Sequence, residues 1–161
     1  MTAGLDLTAA SYLVIAIGTD PVTASVTQAW TAEAEGVAPT TLVVLDSMDS
    51  QADRDVLATV LGQTCVGVRC LIAGGRYDVM QALAFARERG ALPPELASRV
   101  THERDLPVYC AHCRGTHRVA AVPGGEVACP GCHRRLEVHE HHSAVLGSYL
   151  ASDAQARELV P

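Results

Sequence analysis

The sequence predicts an α/β protein: a small Rossmann-like parallel sheet with flanking helices, followed by a compact four-cysteine ribbon of antiparallel strands. Three observations predict it. Short β-branched runs alternate with capped helical segments through the first ninety or so residues, the pattern of βαβ crossovers. Cys110, Cys113, Cys129 and Cys132 then stand as C-x2-C, fifteen residues, C-x2-C, a spacing that brings four thiolates around one ion. Finally, 161 residues leave room for about 100 ahead of such a ribbon. We therefore expect an α/β domain over residues 1–100 and a ribbon with its tail over residues 101–161.

Residues 12–17 (YLVIAI), 41–46 (TLVVLD) and 66–73 (VGVRCLIA) read as strands covered on both faces. Asp20 followed by Pro21 is a cap with proline at the first helical position, opening a helix to about Glu35 before Gly36 and Pro39. Ser50 and Asp53 are spaced as a capping box for a second helix carrying Val56, Leu57, Val60 and Leu61. A third helix runs from about Arg76 to Arg89, with Val79, Met80, Leu83 and Ala86 on one face and Gly90 at its end. Pro93 and Pro94 then open a short turn or helix through Arg99. Parallel sheets of this kind bind ligands at the carboxyl ends of their strands, here Gly18-Thr19-Asp20, Asp46-Ser47-Met48 and Gly74-Gly75-Arg76. No G-x-G-x-x-G fingerprint is present there, and Asp20 places a negative charge where a pyrophosphate would lie.

In the ribbon, residues 106–110 and 116–122 read as strands around the first knuckle, Pro123-Gly124-Gly125 as a turn, and residues 126–129 and 135–138 as strands around the second. The fifteen-residue gap is long enough for a hairpin that returns one knuckle to the other. Arg114-Gly115 and His133-Arg134 follow the knuckles, where backbone N–H groups point at sulfur. Zinc and iron both accept four thiolates; Tyr109 is the single aromatic between residues 101 and 142, which favours zinc over a rubredoxin-like iron site with its aromatic core. A disulfide framework fits poorly. The N-terminus MTAGLDLTAA has no basic region of a signal peptide, and Cys65 and Cys70 lie in an apolar run as small hydrophobes. We expect a cytoplasmic, reduced protein, with no apolar stretch of the ~20 residues that span a bilayer.

All seven histidines fall between His102 and His142. His112, His117 and His133 compete as ligands by proximity, but four cysteines already close a tetrahedron, so a polar surface role is expected. His139-Glu140-His141-His142 does not match a helix-borne H-E-x-x-H. Nucleic-acid binding is disfavoured by charge: Arg104, Arg114, Arg118, Arg134 and Arg135 are balanced by Glu103, Asp105, Glu126, Glu137 and Glu140, before a zinc–tetrathiolate centre adds about −2.

Two resemblances follow. Residues 73–96 (AGGRYDVMQALAFARERGALPPEL) are similar to the last strand and helix of the nicotinamide-binding lobe in flavin- and iron-sulfur-containing reductases, although Ala73-Gly74-Gly75 lacks that family's C-G-P-type turn. The run YCAHCRGTHRV, then GGEVACPGCHRRLEVHEHHS, then LGSYLA (Tyr109 to Ala151) resembles the C-terminal domain of the dimethylamine monooxygenase subunit DmmA-like family. It joins the two knuckles to His142-Ser143 and to a G-x-Y-L element at Gly147, Tyr149 and Leu150. That resemblance implies an accessory zinc-binding subunit of a multisubunit NADPH- and O2-dependent oxidoreductase that N-demethylates dimethylamine to methylamine and formaldehyde. Haem, flavin and iron-sulfur cluster would then sit on partner subunits. The sequence agrees in having no plant-type ferredoxin run and no nucleophile-base constellation. A redox participant, with iron in the four-cysteine site or a nucleotide at the parallel sheet, is the competing expectation. The tail from Ser143 offers Val145, Leu146, Tyr149 and Leu150 at helix-compatible spacing, an apolar stripe for its own domain or for a partner.

Overall fold

The computed structural model describes residue 6 and residues 8–156. β1 (Ser11–Ile17), α1 (Pro21–Glu35), β2 (Thr40–Leu45), α2 (Gln51–Gly62), β3 (Val68–Gly75) and α3 (Arg76–Glu88) alternate as expected. A fourth strand, β4 (Leu96–His102), completes a parallel sheet of order β2-β1-β3-β4. This corrects the expectation of a turn or helix through Arg99: only Pro93–Glu95 forms a 3-10 turn, and Leu96 then pairs with Cys70 on β3. As an edge strand with Ala97, Ser98 and Arg99 exposed, β4 needs no apolar run.

Alternation along β1 assigns the faces. Leu13, Ile15 and Ile17 pack with Leu57 of α2 and with Val79 and Ala82 of α3, while Tyr12 and Val14 pack with Trp30 and Ala34 of α1. The caps are as read: Asp20 accepts from the Val22 N–H at 2.9 Å, and Ser50 from the Asp53 N–H at 3.3 Å. The second half of a capping box is missing, because the Asp53 carboxylate instead accepts the N–H groups of Asp46 and Ser47, both at 3.0 Å. It thereby fixes the turn after β2.

The second sheet contains β5 (Leu106–Cys110), β6 (Gly115–Val119), β7 (Glu126–Ala128), β8 (Arg135–Ser143) and β9 (Ser148–Asp153), in the order β6-β5-β9-β8-β7. It is largely antiparallel, with one parallel pair, β5 and β9. Two sequence expectations change here. The gap between the knuckles does not form a hairpin, since β6 and β7 lie at opposite edges. The tail stripe is not helical either: Tyr149 and Leu150 belong to β9, the central strand wedged between the two knuckle hairpins, and Tyr149 is buried. Leu106, Val108, Val119, Leu136, Val138 and Tyr149 form this sheet's core.

α3 lies between the two sheets. Val79, Ala82 and Ala86 face the parallel sheet, whereas Met80 packs into the core of the second. Gly147, in the turn between β8 and β9, makes the closest approach: a Cβ there would lie 2.5 Å from the Met80 carbonyl oxygen and 2.8 Å from the Ala84 Cβ. Its φ of +60° adds a second reason for glycine. This gives the G-x-Y-L element a physical basis, glycine against α3 and tyrosine into the core.

Candidate metal centre and the covered carboxyl edge

The end of β5 and the two knuckle turns bring Cys110, Cys113, Cys129 and Cys132 together, with all four sulfurs within 4.8 Å of one another. The Cys110–Cys132 and Cys113–Cys129 sulfur pairs are each 3.7 Å apart. Disulfides need about 2.05 Å, whereas a tetrahedron of ~2.3 Å metal–thiolate bonds has edges of about 3.8 Å. The donor set therefore fits a single Zn²⁺, or iron in the same geometry.

Each knuckle is built alike. Arg114 (φ 57°) and His133 (φ 61°) take left-handed conformations, and their N–H groups donate to the Cys110 and Cys129 carbonyls, both at 2.8 Å. Backbone N–H groups of His112 and Cys113 point at the Cys110 sulfur, that of Gly115 at Cys113, and that of Arg134 at Cys132. Burial pushes the Cys110 thiol up, but these N–H groups and the neighbouring sulfurs outweigh it and bring it down to about 7. Cys113 is driven the other way, to about 11, by burial and by the sulfurs of Cys129 and Cys110. One thiolate forms at the expense of its neighbours, so four together call for a cation.

The histidines separate. His112 and His133 are exposed, while His117 sets its Nε2 3.2 Å from the Cys113 sulfur. Its ring fills a slot against Gly131, where a Cβ would lie 2.7 Å from the His117 Cε1 and 3.2 Å from the Cys113 sulfur. His117 is thus an outer partner of the thiol cluster. His139 and His141 stack at 5.3 Å on β8, and His142 leans on Tyr149. Cys70 is buried, its thiol pushed up to about 11 by burial; Cys65, read with it as a small hydrophobe of an apolar run, is exposed.

At the carboxyl edge of the parallel sheet, all three loops expected to line a crevice are held by residues from beyond β4. Arg104 donates to Asp20 at 2.6 Å. Arg76 contacts Glu103 and donates to the Tyr149 hydroxyl at 3.2 Å. Arg118, on β6, reaches the third loop: Nη2 donates to Asp78 Oδ1 at 2.7 Å and to Ser47 Oγ at 2.8 Å, and Nε to Asp49 Oδ2 at 2.7 Å. Its guanidinium lies 3.9 Å from the centre of the Tyr77 ring. Asp78, 8% exposed, also accepts the Met48 N–H at 2.8 Å. Burial works against the charges on Arg118 and Asp49, but hydrogen bonds prevail: Asp78 and then Asp49 raise the arginine's pKa, while the Tyr77 hydroxyl and then Arg118 bring the Asp49 carboxyl below its usual range. Sequence reasoning missed this cluster, whose members are up to 71 residues apart.

Comparison with known proteins now adds to the geometry. Residues 107–151, the span from β5 into β9 that carries all four clustered cysteines, match the family described as dimethylamine monooxygenase subunit DmmA-like, C-terminal domain. The second sheet is therefore similar to a DmmA-like C-terminal domain. Over 117 residues the chain is also 34% identical to the heme-dependent oxidative N-demethylase delta subunit of Ectopseudomonas mendocina (strain ymp). That alignment covers 72% of this chain and 66% of the relative, just under two thirds of the relative's length. No solved structure matches the chain. The DmmA-like domain thus covers, through Arg118 and Tyr149, the edge where a parallel sheet presents its ligand site. Among the described residues no helix is long and apolar enough to cross a membrane.

Proposed function

We propose that the chain is a non-catalytic accessory subunit of a multisubunit, NADPH- and O2-dependent amine monooxygenase, acting in assembly and docking while haem, flavin and iron-sulfur cluster sit on partner subunits. Its α/β domain ends with β4 at His102, two residues past the boundary expected from the sequence, and its ribbon domain begins at β5, from Leu106. The observation that carries this reading is the 34% identity with an N-demethylase delta subunit over 117 residues, beside the separate match of residues 107–151 to the DmmA-like family. The covered carboxyl edge supports it, because Arg104, Arg76 and Arg118 spend that edge's polar groups on contacts within the chain. In this reading Cys110, Cys113, Cys129 and Cys132 hold Zn²⁺, which supplies shape and no redox chemistry. Dimethylamine is the proposed substrate of the complex and the cytoplasm its place.

Reconstitution tests the proposal. Purified chain mixed with the haem-bearing and reductase subunits of the same organism's N-demethylase should co-elute with them and raise NADPH-dependent formaldehyde release, while showing no turnover alone. Failure to co-elute overturns the accessory role. Metal analysis should return one zinc per chain and a colourless protein; a ferric-thiolate absorption band would favour the electron-relay alternative.

A further inference from the structure

α3 and the turn between β8 and β9 enclose a cleft of about 600 Å³ that the metal centre does not use. Its floor is apolar, with Met48 1% exposed and Phe85 half-buried. At its rim Val145 and Leu146 remain 85% and 40% exposed. The turn is tied down in that pose: the Gln81 side-chain amide donates to the Leu146 and Gly147 carbonyls at 3.1 and 2.8 Å, and Leu146 N–H donates to Ser143 Oγ at 3.2 Å. A fixed turn that presents a valine to water is a surface held ready for cover.

Charge identifies the cover. The chain carries a net charge of −6, yet Arg54 and Arg87, both lining the cleft, form no ion pair among the described residues. Arg54 donates through Nε to the Met48 carbonyl and Arg87 reaches the Ala144 carbonyl at 3.3 Å, both neutral acceptors, with Asp49 near enough to Arg54 to feel its charge but not to pair with it. Glu88, the acid among the lining residues, faces Arg89 at 3.6 Å. A small molecule inside the cleft would leave Val145 wet, so the occupant has to extend over the rim. A two-fold copy of the same surface would bring a second Arg54 and Arg87 with only one further acid, Glu88, so positive charge would meet positive charge.

We propose that this cleft docks a segment of a partner subunit bearing an apolar anchor flanked by carboxylates. The anchor enters between Met48 and Phe85, with Val145 and Leu146 closing over it, and the carboxylates pair with Arg54 and Arg87. The proposal rests on the accessory-subunit reading and gives that reading a surface and a partner chemistry.

The test uses the full-length chain and the purified N-demethylase subunits of the same organism. Reversing both charges (Arg54→Glu with Arg87→Glu) should weaken binding by at least about tenfold, and because like charges then face each other, added salt should lessen the loss rather than deepen it. Metal content and cooperative unfolding of the variant serve as folding controls; if it does not fold, the neutral pair Arg54→Gln with Arg87→Gln carries the test, with a loss of about threefold or more. A photo-reactive residue at position 145 should cross-link to a partner segment containing an apolar residue between Asp or Glu residues. Unchanged affinity of a folded variant, a cross-link to a second copy of this chain, or no cross-link within an assembled complex would each overturn the docking site while leaving the accessory role standing. If the unaltered chain binds none of the subunits, both fail.

Discussion

Arg118 ties the two sheets together through Ser47, Asp49, Tyr77 and Asp78, and its loss shows what that contact contributes. Arg118→Ala leaves the buried Asp78 carboxylate with only the Met48 N–H and the Ser47 hydroxyl. Removing one partner of a fully buried pair costs about 3–5 kcal/mol, and with the guanidinium 27% exposed we expect about 2 kcal/mol in urea unfolding. The pH dependence has a definite sign. Asp49 is depressed in the folded state, so its contribution is complete above the unfolded carboxylate value of about 3.9 and is lost as pH falls through the lower folded value. The stability gap between the native protein and Arg118→Ala should therefore be full at pH 7 and narrow below about pH 4. At the cluster itself, Gly131→Ala crowds His117 and Cys113 and should speed metal loss to a chelator, followed with a zinc dye, while the parallel sheet's circular dichroism stays unchanged.

Elements differed in how plainly the sequence announced them. β1 to β3 stood out as short apolar runs, although β2 is an edge strand whose Leu42 and Val44 stay exposed, and α1 and α2 stood out by their side-chain caps, α3 by its apolar face. The knuckles stood out because cysteine spacing is itself geometry. β4 did not, since LASRVTH is an exposed edge strand, and β9 did not, because Val145, Leu146, Tyr149 and Leu150 fit a helical stripe as well as a turn followed by a strand. Arg118 left no trace, because a lone arginine on a strand acquires partners only when the chain folds. The placement of β9 dictates the outcome of shortening the chain. Deleting residues 143–161 removes the strand between β5 and β8, so the truncated protein should lose metal as well as partner binding, as metal analysis would report. A subtler probe is Gly147→Ala, whose Cβ meets the Met80 carbonyl and whose φ becomes strained. We expect a loss of about 2–3 kcal/mol by chemical denaturation, with metal content near native, because the cysteines lie away from that turn.

For the whole molecule, the two sheets rest on different supports. The parallel sheet has a core on each face, with Leu13, Ile15, Ile17, Leu57 and Ile72 on one side and Tyr12, Val14 and Leu71 on the other. The DmmA-like sheet has a single small cluster into which two of the clustered cysteines, Cys110 and Cys129, are themselves buried. With an ion at the proposed four-cysteine site, a unit of that size would depend on it, because binding free energy at a site absent from the unfolded chain is folding free energy. Withdrawing the metal should therefore act unevenly. In hydrogen exchange with a strong chelator present, amides of β5, β8 and β9 should lose protection first, while those of β1 and β3 keep theirs. α3 should report an intermediate response, since Met80 serves the sheet that opens and Val79 and Ala82 the one that stays. Release of Arg118 would uncover Ser47, Asp49 and Asp78 at the same moment, so exchange at the Met48 N–H should follow β5 rather than β1. Simultaneous loss across both sheets would instead mean that α3 and the arginine contacts weld them into one cooperative unit. In that case the metal would govern the stability of the parallel sheet as well.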